Sequence, residues 1–171
     1  MRNTLILTMA IAAWAGVAQA QTKISGAGKC GKPESQQAVE VGDRPGHMLV
    51  VMKYSCTWPT AIEMAGEKAK RYTAAITADV TGEKSQDRGY VVVTMENGDK
   101  AFVRIQGSGM AKGNGAHSGE GTWSYAGGTG KFKGLKGKGT YKSSGATADT
   151  TDDQIEGEYM LPEAAPKAKK D

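Results

Sequence analysis

Alternation of apolar or small residues with polar ones is the feature that most limits what this chain can fold into. From position 72 onward, one parity carries apolar or small side chains: Tyr72, Ala74, Ile76, Ala78 and Val80. The intervening positions are mostly polar, as at Thr73, Thr77 and Asp79. A period of two places the two sets on opposite faces of a strand, so this segment is predicted to be a half-buried β-strand rather than a long helix.

The glycine-rich stretch at residues 107–145 keeps the same alternation. It has 13 glycines, a density that would also suit a flexible linker. A linker has no need of large apolar residues in period two, yet the stretch contains Trp123, Tyr125, Phe132, Leu135 and Tyr141. Glycine within strands fits a small barrel, where the backbone bends sharply or lies against a ring. The alternation changes parity near Gly134, which predicts a β-bulge.

A tight hairpin is predicted where Asn97-Gly98 separates two apolar runs, because Asn-Gly favours the type I′ turn. Short connections and alternating faces throughout favour an antiparallel meander, which removes its exposed edges by closing. The sequence therefore predicts an all-β, eight-stranded, up-and-down β-barrel over residues 45–161, preceded by an irregular arm at 21–44. The expected strands lie near 47–55, 60–65, 70–81, 88–96, 100–108, 116–126, 131–142 and 153–161.

The first 20 residues are typical of a cleavable signal peptide. Arg2 supplies the positive start, residues 5–13 are almost entirely apolar, and Ala18 and Ala20 occupy the small-residue positions before a cut. A retained membrane anchor is the alternative, but the apolar stretch is shorter than the roughly 20 residues a spanning helix needs. We therefore expect cleavage before Gln21, a periplasmic or secreted protein, and no stable membrane insertion.

The charge of the chain is modest, with a formal net value of +4. Part of that excess lies at residues 162–171, an Ala/Pro/Lys-rich segment predicted to be a disordered tail. Nucleic-acid binding is not expected, because a binding domain of that class has a strong basic patch.

The two cysteines, Cys30 and Cys56, are predicted to form a disulfide in an oxidising compartment. A metal pair or a catalytic thiol is the alternative. A metal would need two more ligands, and the two histidines, His47 and His117, have no recognisable ligand spacing. Either histidine could serve as a base, but both are expected to be surface residues. No metal site is expected.

Two apparent cofactor-binding motifs do not meet the requirements of their class. The G-x-G-x-x-G pattern at residues 26–31 does not lie in a βαβ unit. The Gly130-Lys131 pair has Tyr125 and Phe132 where a P-loop requires Gly and Ser or Thr. We therefore expect no cofactor.

Residues 121–141 resemble a known signature, G-x-x-x-Y-x-G-G-T-G-x-[FL]-x-G-x-x-G-x-G, of the allene oxide cyclase/dirigent-type barrels. Residues 97–100 and 156–159 are similar to two further pieces of that pattern. The chain is most similar to the exported bacterial members, most of which have no assigned function. The resemblance implies an eight-stranded antiparallel barrel with a central cavity, often in a homo-oligomer. Plant relatives guide cyclisation or radical coupling of hydrophobic substrates, but their catalytic residues lie outside the matched motifs.

Three functions remain open from the sequence. The first is a non-enzymatic barrel that binds a small apolar ligand, with a cavity lined by Tyr72, Ile76, Val103, Ile105, Trp123, Tyr125, Tyr141 and Tyr159. The same aromatic residues could instead fill the core. The second is a cyclase- or dirigent-like enzyme acting on a hydrophobic substrate, for which no catalytic residue can be assigned. The third is a cell-envelope interaction protein with a basic face formed by Arg104, Lys131, Lys133, Lys136, Lys138 and Lys142.

Overall fold

The computed structural model of the protein describes residues 21–162 as one antiparallel β-barrel. The predicted signal peptide at 1–20 and, from residue 163 on, the predicted tail lie outside the described residues. Within the described part, no helix is long and apolar enough to cross a membrane. The strands are β1 (Thr22–Cys30), β2 (Ser35–Glu40), β3 (His47–Met64), β4 (Glu67–Thr81), β5 (Lys84–Met95), β6 (Lys100–Ala111), β7 (His117–Gly128), β8 (Lys136–Gly145) and β9 (Thr151–Met160).

The sheet runs in the order β1-β9-β8-β7-β6-β5-β4-β3-β2, and a further β1–β3 pairing closes it. Eight strands form the barrel wall, and β2 pairs with β3 alone. The predicted all-β, eight-stranded antiparallel barrel is therefore confirmed. The alternation seen in the sequence has its physical cause here, because inward-facing residues are buried or half-buried and outward-facing ones are mostly exposed.

The predicted irregular arm at 21–44 is wrong, because residues 22–30 form barrel strand β1 and residues 35–40 form β2. Ile24, Gly26, Gly28 and Cys30 share the inward face of β1. The two glycines hid the alternation because they contribute no side chain to the pattern. They are needed there, since a Cβ on Gly28 would lie 2.2 Å from the Tyr72 hydroxyl oxygen.

The two strands expected at 47–55 and 60–65 are a single strand, β3. Its pairing with β4 shifts register between Thr57 and Ile62, around Pro59, which has no N–H to donate to a ladder. The strand expected at 131–142 is also shorter, because residues Gly130–Phe132 form a 3₁₀ helix and β8 begins at Lys136. The change of parity near Gly134 therefore arises from a turn outside the strand, not from the predicted bulge.

The hairpin between β5 and β6 is confirmed, but its predicted type I′ turn is wrong. A type I′ turn needs positive φ at both central residues. Only Gly98 has it, with φ of 90°. The Gly98 N–H donates to the Met95 carbonyl oxygen and the Met95 N–H donates to the Asp99 carbonyl oxygen. This is the three-residue loop in which a type I turn precedes a left-handed glycine.

Candidate functional site

The barrel is closed along β1 and β3 by very little backbone pairing. Only Lys29 with Thr57 and Cys30 with Cys56 are paired across this seam. The predicted disulfide joins that second pair, with a Cα–Cα distance of 4.2 Å. Where β1 and β3 are not paired, side chains fill the seam: Ile62 and the Trp58 ring lie over the inward face of Gly26. A disulfide in this position indicates a non-cytoplasmic compartment.

One end of the barrel is densely packed. Phe132 and Ala101 are 0 % exposed, and Leu135, Met64 and Met95 are almost as deeply buried. The 3₁₀ helix places Phe132 and Leu135 across this end, which we call the closed end. The opposite end is formed by the β4–β5, β6–β7 and β8–β9 turns, and its inward residues are mostly half-buried. We call it the open end.

The eight predicted cavity residues all face inward, but they divide between the two ends. Val103, Trp123, Tyr125 and Tyr159 belong to the core of the closed half. The polar atoms of the three aromatic residues are already satisfied there. Trp123 Nε1 donates to the Thr140 carbonyl oxygen at 3.0 Å, and the Tyr159 hydroxyl accepts from the Ala65 N–H at 2.9 Å. Tyr125 contacts the Met64 sulfur.

The Tyr72 ring also belongs to the buried core, and its hydroxyl reaches Asp153 in the open half. Ile76 and Tyr141 lie toward the open half, and Ile105 lies between the two halves. Whether any of the eight touches a ligand stays a prediction.

Inward-facing glycines make room for the large rings. A Cβ on Gly139 or Gly157 would lie 2.5 or 2.4 Å from Cζ2 of Trp123. A Cβ on Gly121 would lie 2.8 Å from the Tyr141 ring. The glycines of β7, β8 and β9 thus leave space for the rings, as the sequence predicted, and this space lets the Tyr141 side chain point into the open half.

Asp153, on β9, is a carboxyl group that faces into the open half. The Tyr72 hydroxyl donates to Asp153 Oδ2 at 2.7 Å, and Cys30 Sγ lies 3.5 Å from each of those oxygen atoms. Burial raises the pKa of Asp153, while the hydrogen bond from Tyr72 opposes that shift. Burial together with the Asp153 charge raises the pKa of Tyr72, so this phenol keeps its proton. The disulfide therefore lies against the hydrogen-bonded pair of Tyr72 and Asp153 inside the barrel.

Asp87, on β5, is the second inward carboxyl group. Its cross-strand neighbours are Ala78 and Gly107, two residues with little or no side chain. Asp87 Oδ1 is buried and has no hydrogen-bond partner among residues 21–162. Burial raises the pKa of this carboxyl, and a hydrogen bond from Ser85 partly opposes the shift. A buried carboxyl oxygen without a protein partner is rare in native structures, and a donor from outside the chain, either water or a ligand, would satisfy it.

The two carboxyl groups stand on opposite walls, because β5 and β9 are four strands apart in either direction round the barrel. Tyr54 and Tyr141 lie within electrostatic range of both. Burial, followed by the Asp87 and Asp153 charges, raises the pKa of Tyr141 to about 12. His117 completes the ring, with its Nε2 2.9 Å from Thr151 Oγ1. We call Tyr54, Tyr72, Asp87, His117, Tyr141 and Asp153 the polar ring.

Sequence reasoning missed most of this ring. Asp153 has the same parity as Ile155, Gly157 and Tyr159, so extending the alternation by one step would have turned it inward. Asp87 gave no such signal, because residues 91–93 are three consecutive valines and do not reveal which parity of β5 faces the core. His117 was expected on the surface, whereas its ring lies over Gly145 on the inner face of β8.

Other chemically suggestive groups have structural partners. His47, also expected on the surface, is buried and contacts Asp43 through Nδ1 and Asp79 through Nε2, the latter at 2.9 Å. Within residues 21–162, one group has metal-ligand spacing, formed by Cys30, Cys56 and Asp153, but both sulfurs are committed to the disulfide.

The outer face of β6 to β9 alternates in charge. Lys138 lies opposite Glu158, and Lys142 lies opposite Glu120. Lys131 contacts Glu67. Two outer grooves, of about 480 and 1080 Å³, cross this mixed face. An uninterrupted basic stripe is therefore not formed by the lysines of this face.

Comparison with known proteins supports the fold alone. No protein-family model and no curated protein matches the chain. Among solved structures, the pterocarpan synthase dirigent protein GePTS1 is similar, with a TM-score of 0.50 and 13% identity over 94% of this chain and 100% of that one. The related PsPTS1 has a TM-score of 0.48 and 12% identity over 86% and 98%. A pyocyanin demethylase has a TM-score of 0.40 and 14% identity over 77% and 98%.

Proposed function

We propose that this protein is an exported, non-enzymatic barrel that binds a small, largely apolar molecule in its open half. The observation that carries the proposal is the buried, unpartnered Oδ1 of Asp87. Ligand sites of this kind are apolar walls with a few convergent polar groups that fix orientation. Here the walls are inward glycines and rings, and the polar groups are those of the polar ring.

The chemistry of Asp87 narrows the ligand class. An ionised Asp87 has only acceptor oxygens, and the protonated carboxyl keeps an acceptor beside its O–H, so a ligand with an N–H or O–H group can bond to Asp87 in either state. An anionic ligand is disfavoured wherever Asp87 and Asp153 are ionised, because the two carboxylates stand on facing walls and would repel it. The ligand is thus neutral or cationic, flat enough to lie between rings, and carries one donor.

The matching experiment uses N-phenyl-1-naphthylamine, an apolar dye with one N–H. We expect saturable one-to-one binding to the wild type. Asp87→Asn keeps an acceptor and should bind with similar affinity, whereas Asp87→Leu removes it and should bind about tenfold more weakly, as expected for one lost hydrogen bond. Equal affinities for the two variants would overturn the role of Asp87. Native mass spectrometry of protein purified from its own host then tests for a bound natural molecule.

The export part of the proposal is tested separately. The disulfide supports a non-cytoplasmic location, and the finer assignment to the periplasm or the exterior depends on residues 1–20. N-terminal sequencing of protein recovered from the host should begin at Gln21. A protein that begins at Met1 and fractionates with the cytoplasm would contradict it.

A second function, proton-transfer catalysis on the bound molecule, is favoured by one observation. Asp153 is a carboxyl group of raised pKa inside the barrel, and the hydrogen bond that it accepts from Tyr72 at 2.7 Å holds it in one orientation, as a general acid or base requires. Incubating a small-molecule extract of the host with the protein in D₂O would expose such activity. Deuterium incorporation by wild type but not by Asp153→Asn would identify an enzyme, and no incorporation by either would leave binding alone.

A further inference from the structure

The strand β2 is unusually unprotected. All six of its residues are exposed, so neither face of the strand is covered. It ends the sheet order, and within the described part of the chain its second edge has no strand beside it. Closed barrels normally remove such edges, and an unprotected edge is a template for pairing with another chain.

The free edge has a defined set of backbone groups. The Val41 N–H donates to the His47 carbonyl oxygen, in the same register as the β2–β3 ladder. Hydrogen-bonded pairs in an antiparallel ladder recur at every second residue. Odd-numbered residues of β2 therefore bond to β3. The N–H and C=O groups of Gln36, Ala38 and Glu40 point toward the free edge.

We propose that β2 pairs antiparallel with β2 of a second copy of this chain, about a two-fold axis at Ala38. In that register Ala38 faces the partner's Ala38, and Gln36 faces the partner's Glu40 on both sides of the axis. The small methyl group at the axis leaves the strands free to approach. No like charges meet. A shift of two residues in one direction would set Glu34 against the partner's Glu40, which is repulsive. A shift of two residues in the other direction would pair only residues 38–40 of the two strands.

The outer face beside this edge is also apolar. Val39 is 65% exposed and Leu49, its partner on β3, is 51% exposed. Val41 and Val51 extend the same strip. In the proposed register Val39 lies diagonally next to the partner's Val39, within reach of a cross-strand contact. Pairing thus joins two exposed apolar strips across the axis, which a closed barrel standing alone would leave in water.

Two kinds of variant test the register. Ala38→Pro removes an N–H that points away from β3, so the barrel should stay folded while pairing is lost; Ala38→Ser keeps the N–H and serves as the control. Gln36→Glu places like charges opposite each other twice, and Gln36→Lys places opposite charges there. Position 36 is exposed in the single chain, so neither change should affect folding.

The measurement is mass by light scattering after gel filtration, from 1 to 100 µM, with circular dichroism to verify folding. We expect a wild-type dimer, a monomer for Ala38→Pro, a dissociation constant at least about fivefold higher for Gln36→Glu, and one equal or lower for Gln36→Lys. A wild type that is monomeric at 100 µM overturns the proposal. So does an oligomer that tolerates both Ala38→Pro and Gln36→Glu, because it must assemble through another face.

Discussion

Removing the Cys30–Cys56 disulfide should destabilise the barrel by a predictable amount and at a predictable place. The bridge joins residues separated by 26 positions, for which the loss of unfolded-chain entropy amounts to about 3.5 kcal/mol at 25 °C. For a domain of this size that corresponds to a fall of about 10 °C in Tm. Because only two backbone pairs join β1 to β3, unfolding of the reduced barrel should begin at that seam.

The assay compares three samples: the oxidised wild type, the wild type reduced without denaturant, and Cys30→Ala/Cys56→Ala. The reduced wild type keeps both sulfurs and so separates the lost crosslink from lost packing. Urea titration gives the free energy of unfolding. Hydrogen exchange should show amides of β1 losing protection while those of β5 and β6 retain it. A Tm unchanged on reduction, or protection lost evenly around the barrel, would refute the role of the disulfide in closure.

Three further perturbations follow from the structure. Gly157→Ala places a methyl group against the Trp123 ring and the Lys138 carbonyl, and should lower the free energy of unfolding, measured by urea titration, by about 2 kcal/mol. The control is Gly113→Ala, whose methyl group meets open space and should have almost no effect in the same titration. The raised pKa of Asp87 means that its own contribution to stability falls as pH rises from the unfolded-state pKa through the folded-state pKa. Asp87→Asn lacks this contribution, so its free energy of unfolding should rise relative to that of the wild type as pH is raised from 3 to 7. Contacts with Asp43 and Asp79 raise the pKa of His47. The stabilisation from these contacts is therefore present below pH 6.5 and is lost as pH rises through the pKa of His47 in the folded protein. The difference in urea midpoint between wild type and His47→Gln should shrink from pH 6 to 9.

Most of the barrel wall could be predicted because its signal is periodic. In β4 inward apolar residues alternate with mostly polar outward ones, and in β7 inward glycines and rings alternate with outward serine, threonine and glutamate, an order that the core requires. The Asn97-Gly98 hairpin could be located for a separate reason, since glycine is needed where φ is positive. Its turn type could not be predicted, because Asn-Gly also suits a three-residue loop and the pairing of the flanking strands decides between them.

The strand that closes the barrel could not be predicted from local pattern. Half of the inward face of β1 is glycine, and the space above Gly26 and Gly28 is filled by Ile62 and Tyr72 from distant strands. Only the tertiary structure reveals that those glycines are required. The same limit applies to the polar ring: Asp87 and Asp153 are far apart in sequence, and their common surroundings follow from barrel closure.

The most direct test of a ligand site in the open half is to fill it from the inside. Ser143 faces the interior between Gly119 and Asp153, whereas Ser144, its neighbour on β8, faces solvent. The measurement is the dissociation constant of N-phenyl-1-naphthylamine for Ser143→Trp and for Ser144→Trp, with both variants verified as folded. We predict that binding is lost in Ser143→Trp and unchanged in Ser144→Trp. Equal binding by the two variants would contradict an internal site.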